Sequence, residues 1–147
     1  MLPKYHIIYG AIFSLIIYYL FPISLFHAII IFLSSFLIDV DHYFYYVYTK
    51  KDYSLIRAIK WFKKERKKGL KISKKRRKES KLPHYIFHGV ELWIILYFLS
   101  LLNGIFFFIL IGILFHMILD YIEIIRYNCI AYPKVSQIYL YYKNRAK

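Results

Sequence analysis

Four long apolar runs dominate the chain, at residues 5–21, 23–40, 85–102 and 105–125. Only a few polar side chains interrupt each run, and the apolar positions do not alternate as they would on a half-buried strand. The first run of 17 residues would span about 25 Å as an α-helix, which is adequate for the hydrocarbon core of a bilayer. Pro22 and the Asn103-Gly104 pair separate consecutive runs. This pattern predicts an all-α fold in the form of a four-helix transmembrane bundle.

The composition supports a membrane location and a single domain over residues 1–147. Hydrophobic residues make up 60% of the chain and aromatic residues 22%, whereas soluble proteins contain roughly 45–50% apolar residues. A soluble domain of this size could not bury so much apolar surface, so lipid is expected to cover part of it. The single cysteine excludes an intrachain disulfide.

The positive charge is concentrated in one segment, the loop 50–81 between the second and third apolar runs. This segment holds 16 Lys or Arg and three acids, which accounts for +13 of the net charge of +14. Because basic loops stay in the cytoplasm, we expect a multi-pass protein of the inner or plasma membrane with both termini and this loop on the cytoplasmic side. Tyr53, Ile56, Trp61 and Phe62 recur among the lysines and predict an amphipathic helix on the bilayer surface.

Histidines and carboxylates lie at the cytoplasmic ends of all four predicted helices. Such groups are costly within a membrane and therefore usually have a partner or a function. Asp39 with His42, His88 with Glu91, and His116 with Asp120 are expected to share a helix face, because residues three or four positions apart are neighbours on a helix. Together they form a mixed imidazole and carboxylate set of the kind that binds Zn, with Mn or Fe as alternatives. The predicted metal ligands are His6, Asp39, His42, His88, His116 and Asp120, and the predicted catalytic groups are Glu91 and Asp41.

Two further histidines have weaker assignments. His84 lies where the basic loop ends, and the sequence leaves open whether it is a ligand. His27 is predicted at the opposite end of the bundle and is expected to be structural.

The candidate residues resemble the motifs of the YdjM-type inner-membrane metal-dependent hydrolases. Residues 37–42 (LIDVDH) resemble that family's LPDxDH signature, residues 88–91 (HGVE) the second half of HRGxTHS, and residues 116–120 (HMILD) its HxxxD motif. His6, followed by Gly10, matches the N-terminal histidine of the family. The chain departs from the pattern in both motifs: Ile38 replaces the proline of the first, and Pro83 stands where the second begins, whose arginine and glycine are also absent.

This resemblance implies a metal-dependent hydrolase related to the zinc-dependent phospholipase C and nuclease superfamily. Phosphoester hydrolysis by a water that the metal activates is the expected reaction, with Glu91 as a possible base. The expected partners are membrane lipid and an anionic, phosphate-bearing substrate, which the basic loop would attract.

Two other functions compatible with the sequence are not enzymatic. A membrane adaptor would use the basic loop to bind anionic lipid or, less favoured, nucleic acid, and its His and Asp residues would only hold the helices together. A metal-ion or proton carrier would need polar residues that continue to the far face of the membrane, where the chain offers few.

Overall fold

The computed structural model describes residues 3–71, 82–127 and 135–146, and all regular secondary structure in these ranges is α-helical. The prediction of an all-α fold is therefore confirmed. The basic loop 50–81 is described only up to residue 71. The helices are α1 (Pro3–Leu20), α2 (Leu25–Leu37), α3 (Val40–Lys50), α4 (Leu55–Lys71), α5 (Val90–Leu102), α6 (Ile105–Arg126) and α7 (Gln137–Arg145).

Helix α2 lies at the centre of the bundle, between α1 and α6, and α5 packs on the other side of α6. Small residues allow α1 and α6 to pack closely against α2. A methyl group added at Gly10 would collide with Ser35, and one added at Gly112 would collide with Ser34 and the carbonyl of Ile31. Such small-residue contacts are typical of helices that pack within membranes.

The distribution of apolar side chains is the reverse of that in a soluble protein. The apolar core is small and centres on Ile38, Leu96, Leu110 and Ile113, while many large apolar side chains face outward, including Leu102 at 83% exposure. Buried side chains instead include several histidines and aspartates. A monomeric soluble protein rarely exposes so much contiguous apolar surface.

Two helical stretches among the described residues are long and apolar enough to cross a membrane. They are Leu25–Lys50, which joins α2 and α3, and Ile105–Arg126, which is α6. The stretch Val90–Leu102 is apolar but shorter. The four-span bundle, its cytoplasmic orientation and the other two spans stay predictions.

Three helix assignments differ from those made from sequence. The second predicted helix, residues 23–40, is interrupted after Leu37. A new helix, α3, begins at Val40 and continues to Lys50, ten residues beyond the predicted end. The third begins at Val90 rather than at residue 85, because residues 82–89 form a non-helical segment that Gly89 ends as the N-cap of α5. The prediction that His88 and Glu91 share a helix face was therefore wrong. Helix α7 was not predicted.

The amphipathic helix expected within the basic loop is present as α4, and it folds back against the bundle. Trp61 and Phe62 lie beside Tyr46 of α3, with ring centroids 5.7 and 6.5 Å away. The Arg66 guanidinium donates to the Glu123 carboxylate of α6. Aromatic contacts and an ion pair thus hold α4 across the end of the bundle that carries the predicted ligands.

A short turn at residues 51–54 connects α3 and α4. Lys51 adopts a left-handed conformation (φ 54°) that ends α3, and Asp52 accepts two hydrogen bonds from Arg57, at 2.6 and 2.7 Å. The Arg57 guanidinium holds the pKa of the Asp52 carboxyl well below its usual range.

Candidate metal centre

All six predicted ligands converge at one end of the bundle, although they come from distant parts of the chain. Helix α1 supplies one histidine near its start, the α2–α3 junction and α3 supply two residues, the segment 82–89 supplies one, and the C-terminal half of α6 supplies two. Three groups of side chains within this cluster could each hold a metal ion. The groups are His6, Asp39 and His116; Asp39, His42 and His88; and His88, His116 and Asp120.

Five separations among four ligand atoms in this cluster are close to those between ligands of one tetrahedral ion. The Nε2 atoms of His88 and His116 are 3.2 Å apart, and Asp39 Oδ1 lies 3.5 and 3.6 Å from them. Asp120 Oδ2 lies 3.8 and 3.4 Å from the same two nitrogens. Two ligand atoms on one tetrahedral zinc, each about 2.0–2.1 Å from it, would be about 3.3–3.4 Å apart. The two imidazoles together with either carboxylate therefore have the separations of three ligands around a single small cation.

The hydrogen bonds of the two histidines determine which ring nitrogens face each other. His88 Nδ1 lies 3.0 Å from Asp41 Oδ2, and His116 Nδ1 lies 2.9 Å from the carbonyl oxygen of Ser35. Because a carboxylate and a carbonyl can only accept, both Nδ1 atoms carry the proton and both Nε2 atoms present lone pairs. Two lone pairs at 3.2 Å repel unless a metal cation or a shared proton lies between them.

Burial increases the need for such a cation. His88 and His116 are fully buried, and Asp41 and Asp120 are 4% and 1% exposed. Burying a carboxylate is costly unless it is paired or coordinates a metal. The cluster contains three carboxylates, those of Asp39, Asp41 and Asp120, so a divalent cation would offset most of the negative charge.

His6 lies beside these ligand atoms and belongs to another group that could hold a metal ion. Its ring stacks on that of His116, with centroids 3.9 Å apart, and its Nε2 lies 3.5 Å from Asp120 Oδ1. Both ring nitrogens are buried and have no hydrogen-bond partner among the described residues. Because Asp120 directs Oδ2 towards His88 and His116 and Oδ1 towards His6, its carboxylate has the geometry to bridge two ions.

The site is most open at Asp39 and His42, whose side chains are 16% and 22% exposed. His42 Nδ1 lies 2.7 Å from Asp41 Oδ1 and 3.5 Å from Asp39 Oδ1. Tyr85 stacks on the His42 ring at 3.9 Å, and Phe62 of α4 meets its edge at 5.6 Å. Any substrate would reach the cluster past these two aromatic rings.

Three of the residues considered from sequence lie outside this cluster. Glu91 accepts hydrogen bonds from the backbone amides of Gln137 and Ile138 and from the Ser136 hydroxyl, at the start of α7. His84 Nε2 lies 3.1 Å from the Asn144 side-chain amide. His27 stacks on Phe108 at the far end of the bundle.

Sequence reasoning missed three residues that support the site. Ser35 contributes only a backbone carbonyl, and Tyr85 was read as the first residue of a helix. Gln137 accepts from the backbone amide of Tyr85 and donates to the carbonyl of His88, at 3.1 and 3.3 Å. Only Tyr85, an aromatic residue three positions before His88, offered a signal in the sequence.

Comparisons of the chain with family models, with curated proteins and with solved structures find no match. The resemblance to the YdjM-type hydrolases therefore stays a prediction that rests on the motifs alone.

Proposed function

We propose that this protein is an integral membrane metal-dependent hydrolase that cleaves a phosphoester of a lipid or of another substrate at the membrane surface. One observation carries the proposal: the Nε2 atoms of His88 and His116 lie 3.2 Å apart in an almost fully buried cluster, and a carboxylate oxygen of Asp39 and one of Asp120 each lie 3.4–3.8 Å from both. Such a set fits Zn, and Mn or Fe are alternatives.

A divalent ion held there would polarise the phosphoester and lower the pKa of a coordinated water towards about 7. The protein's own contribution is to fix the ligands. Asp41 and the Ser35 carbonyl hold two imidazoles in the tautomer that directs Nε2 inward. The orientation of ligands by such hydrogen bonds is a general feature of metal sites.

Hydrolysis also requires proton transfer, because the oxygen of water bonds to phosphorus, a water proton leaves, and the departing ester oxygen takes a proton. The buried Oδ2 atom of Asp39 has no hydrogen-bond partner among the described residues, and we assign it as the proton acceptor. Asp41 is then a positioning residue, because its two oxygens already accept from His42, His88 and Phe87. We assign Glu91 a structural role at the start of α7.

The position of the cluster supports a lipid or a membrane-proximal substrate. The ligands lie at one end of helices whose outer surfaces are largely apolar, which is the depth expected for a headgroup. Helix α4 folds over this end and contains eight basic residues and one acid. Each basic residue near an anionic surface contributes on the order of 1 kcal/mol to attraction.

The first test is the metal content of the detergent-purified protein, measured by elemental mass spectrometry. We expect one or two Zn, Mn or Fe ions per chain and their loss in a folded His116→Ala/Asp120→Ala double variant. The matched control is His27→Ala, which removes a histidine at the other end of the bundle and should keep the metal. If the wild-type protein binds no stoichiometric metal, even after incubation with Zn and Mn, the hydrolase proposal fails.

A second measurement separates the enzyme from the adaptor. Phosphate release from lipid and soluble phosphoesters should depend on added metal and should be lost in the double variant. An adaptor would instead retain lipid binding in the double variant and lose it when the lysines of α4 are replaced.

A further inference from the structure

An apolar groove lies on the surface of the bundle between α2 and α5, with α6 as its floor. Its volume is about 430 Å³, and its lining includes Leu33 of α2, Ile38 just after α2, Leu96 of α5 and Ile113 of α6. The one hydroxyl in the lining, that of Ser34, donates to the carbonyl of Ile30 within its own helix, at 2.7 Å. An apolar ligand in the groove would therefore meet no polar group that needs a hydrogen-bond partner.

Three residues that line the groove are close in sequence to candidate ligands. Ile38 immediately precedes Asp39, Phe87 immediately precedes His88, and Ile113 lies one turn before His116. On α2 the lining extends from Ile30 to Leu37, which is about 10 Å of helix. The end of the apolar groove that contains Ile38 and Phe87 is therefore next to the candidate ligands.

We infer that this groove holds an acyl chain of a phospholipid whose headgroup phosphate lies at the metal centre. The inference rests on the proposed function and names its substrate class. Charge supports the headgroup end, since a cation held by Asp39, His88, His116 and Asp120 and the basic helix α4 would both attract a phosphate. Apolar lining and continuity with the ligand cluster support the chain end.

The groove would act by position rather than by affinity. An acyl chain that leaves the bilayer for the groove exchanges one apolar environment for another, so little free energy is gained by transfer. A chain fixed in the groove would instead orient the attached phosphate towards the ligands, and orientation of a reacting group is a large source of rate acceleration.

Photocrosslinking tests the inference without relying on activity. The full-length protein is reconstituted in phosphatidylcholine vesicles with a phosphonate analogue of phosphatidic acid that carries a diazirine in one acyl chain. The carbon–phosphorus bond prevents cleavage of the probe. A diacylglycerol with the same diazirine chain serves as the probe without phosphate, and peptide mapping locates the label.

We expect the phosphonate probe to label the α2, α5 and α6 peptides of the groove several-fold more than the diacylglycerol probe. Leu33→Trp should remove this difference, because Leu33 lines the groove and is 39% exposed, so that a larger ring can fill the groove from its rim. The matched control is Ile29→Trp, an exposed position on the same helix that does not line the groove.

Equal labelling by the two probes, or a preference that Leu33→Trp leaves unchanged, would overturn the inference. Metal content and phosphate release, measured on the same preparations, report separately on the proposed function. Metal binding and hydrolysis without preferential labelling would refute the groove alone. Preferential labelling in a protein that binds no metal would support the groove and refute the hydrolase.

Discussion

Replacement of Asp41 by Asn tests whether a carboxylate that holds two imidazoles controls the metal centre. In the wild type, Asp41 Oδ1 accepts from His42 Nδ1 at 2.7 Å, while Oδ2 accepts from His88 Nδ1 and from the Phe87 amide, each at 3.0 Å. Asn offers one acceptor oxygen and an NH2 group. Whichever way the amide turns, at least one N–H donor faces another donor.

The expected loss of metal affinity is moderate because Asp41 orients imidazoles and is not itself assigned as a ligand. The amide would keep its oxygen towards His88 and Phe87, where it satisfies two donors, so His88 retains its orientation but loses a charged partner. Loss of such a supporting group weakens metal binding about 10–100-fold, which corresponds to about 1.4–2.7 kcal/mol. We therefore expect Asp41→Asn to bind the same number of ions with this weaker affinity.

The assay is competition with a chromogenic chelator at one fixed neutral pH, with thermal unfolding as a check on folding. Asp52→Asn is the matched control, since Asp52 also accepts several hydrogen bonds but lies outside the cluster. A dissociation constant equal to that of the wild type would refute the supporting role of Asp41. Loss of an entire ion would show that Asp41 is itself a ligand.

Three further predictions concern stability. Metal added at about 100 times its dissociation constant should stabilise the wild type by about 2.7 kcal/mol and leave the double ligand variant unchanged, as measured by thermal unfolding with and without chelator. Gly112→Ala should cost about 1–3 kcal/mol because its methyl group would meet Ser34, whereas Gly104→Ala, which has open space, should cost little. The pKa of Asp52 is lowered in the folded protein, so its contribution to stability should be complete above the unfolded pKa of about 3.9. This contribution should be lost as the pH falls towards the pKa of the folded protein. At that low pH the acid unfolding curves of wild type and Asp52→Asn should converge.

Much of the helical framework was predictable because membrane-compatible helices require long uninterrupted apolar runs. The runs 5–21 and 105–125 match α1 and α6 to within two residues at each end. The convergence of the predicted ligands also followed from pattern, since each His or Asp lay towards the same end of its run. Up-and-down helices bring such ends together.

The remaining features depend on tertiary contacts that local pattern does not encode. His88 lies outside a helix because the segment 82–89 bends so that the Phe87 amide and the His88 ring both reach Asp41. Glu91 had the chemistry of a catalytic base, but its geometry depends on α7, whose short mixed sequence gives no strong helical signal. Propensity is a weak guide where partners distant in sequence decide the conformation.

The attachment of the segment 82–89 to α7 has a consequence for biogenesis. Gln137 bonds to both Tyr85 and the His88 carbonyl, Asn144 bonds to the Leu82 backbone, and Val90 donates to the carbonyl of Val135. Because translation proceeds from the N-terminus, every ligand emerges before the helix that braces His88. The segment that presents His88 can bond to Asp41 as soon as it is made, but it gains these contacts with α7 only afterwards. Any metal that the cluster holds would then find the fully braced ligand arrangement only late in biogenesis.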